Sequence, residues 1–586
     1  MTRFLITTAD ERTWPGDQPV LFLGECCKLY DRHHIWEAMD AEMVSYHWND
    51  RRKLQGDYLY LQGLYEELLL ELSERLNTIH SVNHTTRYWR ILIGPWLGYF
   101  VQMLFDRWEM IQRAITDNSI AGVRILDTAP EQVVLNDMGY FAPLYLKDVW
   151  NEAIYGQLLQ GWTTVPVEKV HAVEQSSLAV AQPELTPVRR LKRKLAHAAS
   201  VVSQMFVRDE EAFLMASSLP ITKDLRLQWR LGQVPKLWRS MPTPKAKVDW
   251  DQRQWQVGKS DLEGFPAIVR AMIPRQIPTL YLEGYVALQS LCGDLPWPKK
   301  PRLIFTSNAC FTEDVFKAWA AEKVEQGAPF VVVQHGGNYG IGLWNFLEDH
   351  EYAISDGWLS WGWDDENRPQ IKSVGNLKMV GCDMGWDSAG HALMVEMTMP
   401  RYSYHMYSAP VASQWLDYFN DQMRFIDALP DDIRRCLLIR LYINDYGWNQ
   451  AARWKDRFPD ILLDDGTKPI ETLIRKSRLY ISTYNATTFL ESLAMNIPTI
   501  MFWNPNHWEL RYSALPYFER LNSVGIFHET PESAAHKMKM VWDDVAAWWN
   551  SELVQTVRKE FCYRYSRMPE RPLEGLEQAL ISVEQA

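Results

Sequence analysis

The chain has few cysteines and no pattern among them. Cys26, Cys27, Cys292, Cys310, Cys382, Cys436 and Cys562 are odd in number and scattered, and no CxxC pair occurs. That excludes a disulfide framework and a zinc knuckle, and it predicts a reducing, cytoplasmic setting. No apolar window approaches the roughly 18 residues needed to cross a bilayer. The run Met1 to Asp10 is too weakly apolar to read as a signal peptide. No GxGxxG turn with its acidic partner is present, so NAD binding is not expected. HEXXH-type spacing is also missing, and no metal site is expected. Positive charge is in the minority, with 61 Lys and Arg against 73 Asp and Glu and a net charge of −12. A general nucleic-acid binder is thereby excluded, whereas an anionic small substrate is not, because local field matters more than the total. Internal repeats and low-complexity tracts are lacking as well.

Tryptophan is abundant, with 27 copies, in a chain that is 47% hydrophobic and 23% charged. Such a chain is globular, and 586 residues exceed one core, giving roughly two to four domains. Phe4–Thr7 and Val20–Leu23 read as short buried strands, the second ending in the sharp turn Gly24-Glu25-Cys26-Cys27. From about Arg51 to Thr116 the pattern is helical, with Tyr58, Leu61, Leu64, Tyr65, Leu68 and Leu72 on one face and Gly94-Pro95 as a break. The prolines of 182–196 and the run Arg189-Arg-Leu-Lys-Arg-Lys194 read as a linker feeding a basic helix. That helix is either a solvated face or a contact for an acidic membrane surface or polyanionic acceptor.

After Ile277-Pro278 short apolar runs alternate with amphipathic helices. Strands are expected at 303–306, 330–334, 353–360, 378–380, 437–442, 461–463, 479–482 and 499–502. That alternation predicts an α/β fold of parallel, doubly wound sheets. Ligands in such sheets bind beyond the carboxyl ends of the strands, so the chemistry belongs in the following turns.

Five constellations stand there. Ser482-Thr-Tyr-Asn-Ala-Thr-Thr-Phe-Leu-Glu491 follows a strand and opens a short helix. Free N–H groups and the helix dipole there suit an anion, with Ser482, Thr483, Asn485, Thr487 and Thr488 as donors and Glu491 placed for ribose hydroxyls. A capped helix in an ordinary βαβ unit would use the same residue types. Gln334-His-Gly-Gly337 ends an apolar strand; Gly336 and Gly337 expose N–H groups, and His335 is a candidate donor or general base. Glu348-Asp-His-Glu351 offers a carboxyl with a raised pKa as general acid, with His350 beside it, or else a solvated acidic helix end. Leu437 to Trp448 carries Arg440 for a phosphate or carboxylate, Tyr442 on the same face, and Asp445 as nucleophile or base. Glu25 and Tyr281-Leu-Glu-Gly-Tyr285 add polar groups at the edge of the presumed cleft.

These segments, together with Leu29-Tyr30, Tyr46-His47-Trp48 and Arg87-Tyr-Trp-Arg-Ile-Leu-Ile-Gly-Pro-Trp96, resemble the large transferases of bacterial O-antigen and surface-polysaccharide gene regions nearly end to end. The C-terminal half is more distantly similar to capsule-type GT-B glycosyltransferases, among which retaining β-Kdo transferases use CMP-Kdo and no metal. The resemblance implies two facing Rossmann-like domains. An acceptor-side domain would span 1–370, with a helical insertion over about 51–230. A nucleotide-sugar domain with C-terminal helices would span 371–586. It further implies a cytoplasmic glycosyltransferase, peripheral to the inner membrane through 189–194, acting on a glycan or lipid-linked glycan acceptor without a cofactor. The nucleotide would lie on Ser482, Thr483, Asn485, Thr487 and Thr488 with Glu491 on ribose, and His335 and the acidic cluster would reach across. Asp445 or Glu348 would serve a retaining route, and His335 or Glu25 an inverting one. The pair Cys26-Cys27 departs from the pattern and leaves the role of Glu25 open. Two other readings stand beside this one: a non-catalytic glycan- or nucleotide-binding scaffold, and a CDP-polyol phosphotransferase.

Overall fold

The structure is a computed structural model that describes residues 2–171, 203–204, 207–258, 261–382 and 385–586. The expected basic helix at 189–194 and most of the linker around it lie outside the described residues. The α/β class with Rossmann-like parallel sheets holds, but there are three such sheets where two were expected. The first contains β1 (Arg3–Ile6), β2 (Val20–Phe22), β3 (Ala41–Met43), β4 (Ile120–Leu126) and β5 (Val167–Val170), in the order β3-β2-β1-β4-β5. The second contains β6 (Ala212–Met215), β7 (Leu303–Thr306), β8 (Phe330–Val333), β9 (Gly357–Ser360) and β10 (Ile371–Ser373), in the order β10-β9-β8-β7-β6. The third contains β11 (His391–Val395), β12 (Leu437–Arg440), β13 (Leu462–Asp464), β14 (Ser477–Ser482), β15 (Thr499–Phe502) and β16 (Phe527–His528), in the order β13-β12-β11-β14-β15-β16. Every pairing in these sheets is parallel.

The stretch expected to be a helical insertion, about 51–230, therefore also carries β4, β5 and β6. The boundary expected at 370/371 precedes β10, which still pairs with β9. The strand expected at 378–380 is instead a single 3-10 turn, Leu377–Met379, started by the Asn376 side chain accepting from the Lys378 N–H. Gly375 and Gly381 flank it at φ 97° and 82°, a left-handed backbone that interrupts any extended run. The C-terminal helix Pro572–Glu584 returns to the second sheet, where Leu573, Leu576, Leu580 and Val583 join Leu214, Phe305, Val331, Val333 and Leu359 in one apolar cluster.

Two long helices, Arg51–His80 and Thr86–Asp117, form a hairpin between the layers. The expected break at Gly94-Pro95 is absent, and the second helix runs through Pro95 without interruption. Proline in a helix interior costs about 3 kcal/mol, but here every residue from Ile91 to Arg107 is buried and packing outweighs that local loss. The glycines have a separate purpose. A Cβ on Gly94 would lie 2.8 Å from His350 Cε1, and one on Gly98 would fall inside the Phe346 ring. Both partners belong to the helix Phe346–Ile354, which carries the segment after β8. Two helical glycines cost about 2 kcal/mol relative to alanine, and seating one buried phenylalanine returns about 1.5–3 kcal/mol, so the notch is sustained by what fills it. Gly98→Ala gains helix propensity yet is expected to destabilise the protein by about 1–3 kcal/mol through overpacking. Adding Phe346→Leu should recover part of that loss in denaturant titrations. A stabilised single variant would show the notch to be dispensable.

Candidate active site

The second and third sheets turn their carboxyl edges toward each other, and the turn after β8 makes the contact. β8 is wholly buried and reads Phe-Val-Val-Val. Gln334 fixes the turn that follows. Its amide donates to the Gly336 carbonyl at 2.8 Å and accepts from the Trp361 N–H at 2.9 Å and Trp363 Nε1 at 3.0 Å. His335 comes next, with about a quarter of its side chain exposed. Its Nδ1 lies 3.6 Å from Glu351 Oε1, and its Nε2 lies 3.4 Å from the Tyr339 hydroxyl. Tyr339 donates to Glu351 Oε1 at 3.0 Å and Trp358 Nε1 donates to Oε2 at 3.2 Å. Burial, aided by the Lys378 charge, lowers the pKa of His335 to about 4. Burial also pushes the Glu351 carboxyl well up. At neutral pH the imidazole is therefore unprotonated, and burial favours the neutral form of its acidic neighbour. His335 and Glu351 share a cavity of about 230 Å³ with Asn308 and Glu313.

Gly337 meets the third sheet directly. Its N–H donates to Thr487 Oγ1 at 3.1 Å. A Cβ on it would overlap the Ala486 carbonyl, so only glycine permits this approach. Thr487 opens the helix Thr487–Ala494. Of the polar residues expected to face a ligand here, two are turned inward. Thr483 donates to the Val395 carbonyl at 2.9 Å and shares a 2.6 Å hydrogen bond with Tyr418, and Ser482 donates to the Tyr484 carbonyl at 3.4 Å. They hold β14 to β11 and close the turn. Thr487, Thr488 and Glu491 remain half-buried at the helix start, although Thr488 donates to the Tyr484 hydroxyl at 3.0 Å. Asn485 is fully buried, and neither atom of its amide has a hydrogen-bond partner among the described residues. Burial raises the Glu491 carboxyl, opposed by Lys378. Lys378 thus acts on a side chain of each lobe, and it is exposed. Its sequence neighbourhood carries no signal; only the fold puts this cation beside the gap.

The other candidates have structural partners. Glu348 is wholly buried, accepting from the Gly340 N–H at 3.2 Å and from the Tyr352 hydroxyl, with Arg511 Nη2 at 2.8 Å. It clamps the glycine turn and cannot reach a substrate. His350 is packed against Gly94, where burial holds its pKa down at about 3 and leaves the ring neutral. Arg440 donates to Asp464 at 3.0 Å and to the Gly466 carbonyl at 2.9 Å, which removes most of its fork from a phosphate. Asp445 accepts from the Asn449 and Gln450 N–H groups, both at 2.7 Å, so it caps the helix Gln450–Arg457. Tyr442 is exposed nearby. Glu25 stands on the first sheet, paired with Lys28 at 3.2 Å, and shares no cavity residue with His335. Glu351, from the Glu348–Glu351 motif, and Tyr339, to which the sequence reading assigned no role, complete the His335 niche.

Among the described residues no helix is long and apolar enough to cross a membrane. No curated protein matches the sequence. Among solved structures, one of the wall teichoic acid polymerase TagF with CDPG aligns at 9% identity and a TM-score of 0.26, over 51% of this chain and 84% of that one. The family model described as LIC12162 family transferase matches residues 3–580, nearly the whole chain, and the protein belongs to that family of transferases.

Proposed function

We propose that the protein is a glycosyltransferase that moves a sugar from a nucleotide donor onto a bacterial surface-polysaccharide or O-antigen precursor, with the gap between the second and third sheets as the transfer site. The observation that supports this reading is that His335 stands two residues before Gly337, whose N–H meets Thr487 at the helix start, while the exposed Lys378 acts on both His335 and Glu491. Helix N-terminal amides and a lysine favour a phosphate and stabilise its charge as it leaves. Thr487 and Thr488 orient the nucleotide, and Glu491 accepts from ribose hydroxyls. His335 takes the proton of the attacking acceptor hydroxyl as the bond from anomeric carbon to phosphate oxygen breaks, and the electron pair leaves with the nucleotide. A single displacement of this kind inverts the anomeric centre. The reading favours it because Asp445 and Glu348, the carboxylates a retaining route would need, are occupied by a helix cap and an ion pair. CMP-Kdo is the first donor to test, and lipid-linked glycan is the acceptor class.

Calorimetric titration with CMP, CDP, UDP and GDP should find one base preferred, and Lys378→Ala should weaken that nucleotide by about tenfold, roughly 1.4 kcal/mol. His335→Ala should keep nucleotide affinity while turnover falls about 10²–10⁴-fold. Absence of any nucleotide binding at millimolar concentration would sink the reading.

The pH profile is a separate check. Because the folded pKa of His335 lies below its ordinary value, the base stays competent as pH falls below 6.5 and is lost on approach to about 4. An acid limb of kcat/KM at 6.5 would remove His335 from the role. Asp445→Ala should cost about 1–2 kcal/mol in urea unfolding, as loss of a cap does, with turnover per folded molecule unchanged.

A further inference from the structure

A second cavity lies away from the transfer gap, between the helix Arg51–His80, the helix Asp148–Trp162, the segment 250–256 and the helix Phe265–Gln276. Its volume of about 1020 Å³ is at the upper end of the ~300–1,000 Å³ usual for ligand pockets. It shares no lining residue with the cavity at His335. The chemistry of its wall differs from that of the chain as a whole. The protein is acidic overall, at −12, yet no Asp or Glu lines this cavity, whereas Arg75, Arg253 and Arg275 do. Arg253 is neutralised by Glu283 at 2.6 Å. Arg75 and Arg275 have no carboxylate partner among the described residues. The Arg75 guanidinium lies over the Trp255 ring at 5.9 Å, and Arg75 Nε and Trp255 Nε1 are both buried without a hydrogen-bond partner.

The remaining wall is amides and indoles with the apolar Pro130, Ala271 and Pro274. Gln157 and Gln276 are joined by one hydrogen bond at 3.1 Å, which leaves further donors and acceptors on both. Trp250 is held at the rim by its Nε1 donating to Glu131 at 2.6 Å, and Gln254 donates to the Trp250 carbonyl at 3.0 Å. Indole faces pack on the apolar faces of sugar rings. Amides match hydroxyls, and a guanidinium fork matches an oxyanion. Unpaired buried donors cost about 1–3 kcal/mol each, so a ligand that satisfied Arg75 and Trp255 would gain more here than at an open surface.

We infer that this cavity binds an acidic oligosaccharide, a hydroxyl-rich chain bearing carboxylate or phosphodiester groups. The inference stands apart from the transfer reading, since it uses none of the same residues. Calorimetry on the full chain can test it with trigalacturonate, with a three-unit poly(glycerol phosphate), with maltotriose and with tripolyphosphate. At least one of the two anionic chains should bind ten times or more tightly than maltotriose, and the stronger of them identifies the oxyanion. Arg275→Glu and Trp250→Ala, both at partly exposed positions, should each weaken that binding tenfold or more with unchanged circular dichroism. Lys378→Ala should leave it unaltered. The inference is overturned if neither anionic chain binds at millimolar concentration, if both cavity variants bind like the parent, or if tripolyphosphate binds as tightly as either chain.

Discussion

The structure depends on how closely the helix Thr86–Asp117 can be approached. Gly94 and Gly98 stand four residues apart on one face of it, and Phe346 and His350 stand four residues apart on the helix that answers it. Four-residue spacing puts each pair on one stripe, so the two stripes mesh as ridge and groove. The helix that enters the notch, Phe346–Ile354, follows the Gln334–Gly337 turn in the chain. A side chain at either glycine would displace the helix Phe346–Ile354 that packs there.

The same buried helix carries polar groups to the other lobes. Gln102 accepts from the Met406 N–H at 2.6 Å. Arg107 donates to the Ser403 carbonyl at 2.8 Å and, through two nitrogens, to Asn151 at 3.0 and 2.7 Å. Asp106 receives His47 at 3.0 Å, Tyr46 at 2.7 Å and Arg107 at 2.8 Å. Burial alone would raise that carboxyl, yet these partners hold it down at about 2. Residues 403 and 406 lie between β11 and β12, Asn151 lies on a helix of the first sheet, and residues 46–47 follow β3. One helix thus fixes positions in all three lobes. A buried charge with every partner in place adds little net stability, but its geometry is exacting because any displacement leaves a charge unpaired. Such contacts suit a scaffold whose lobes must hold a narrow gap.

The readable parts of the sequence were those where local pattern and tertiary role agree. β8 and β14 are apolar runs that empty into polar turns, and both turns lie at the gap. The first sheet was read only in β1 and β2: β3, Ala-Glu-Met, has all three residues exposed and no apolar signature, and β4 and β5 lay within the stretch read as a helical insertion. Gly94-Pro95 misled because the local rule for a helix break was overridden by burial on all sides. Ser482, Thr483 and Asp445 misled for a related reason: hydroxyls and carboxylates that satisfy backbone groups are the same residue types that hold phosphates. Lys378 was invisible because a lone lysine in a short turn has no pattern, and its position follows from two left-handed glycines and the path between two sheets.

The sorting of charges around the gap follows from these constraints. Glu348 is matched to Arg511 and Arg440 to Asp464, so the groups with fixed opposite charges face inward. Burial lowers the pKa of His335 to about 4 and raises that of Glu351, so both shifts favour the uncharged form beside the turn. What remains exposed beside the helix start at Thr487 is the ammonium of Lys378. The local charge near this turn is therefore positive at Lys378, and the neutral imidazole adds none to it. Were His335 protonated instead, it would add a second positive charge near Lys378, so the desolvation that lowers its pKa leaves the lysine as the cation beside this turn.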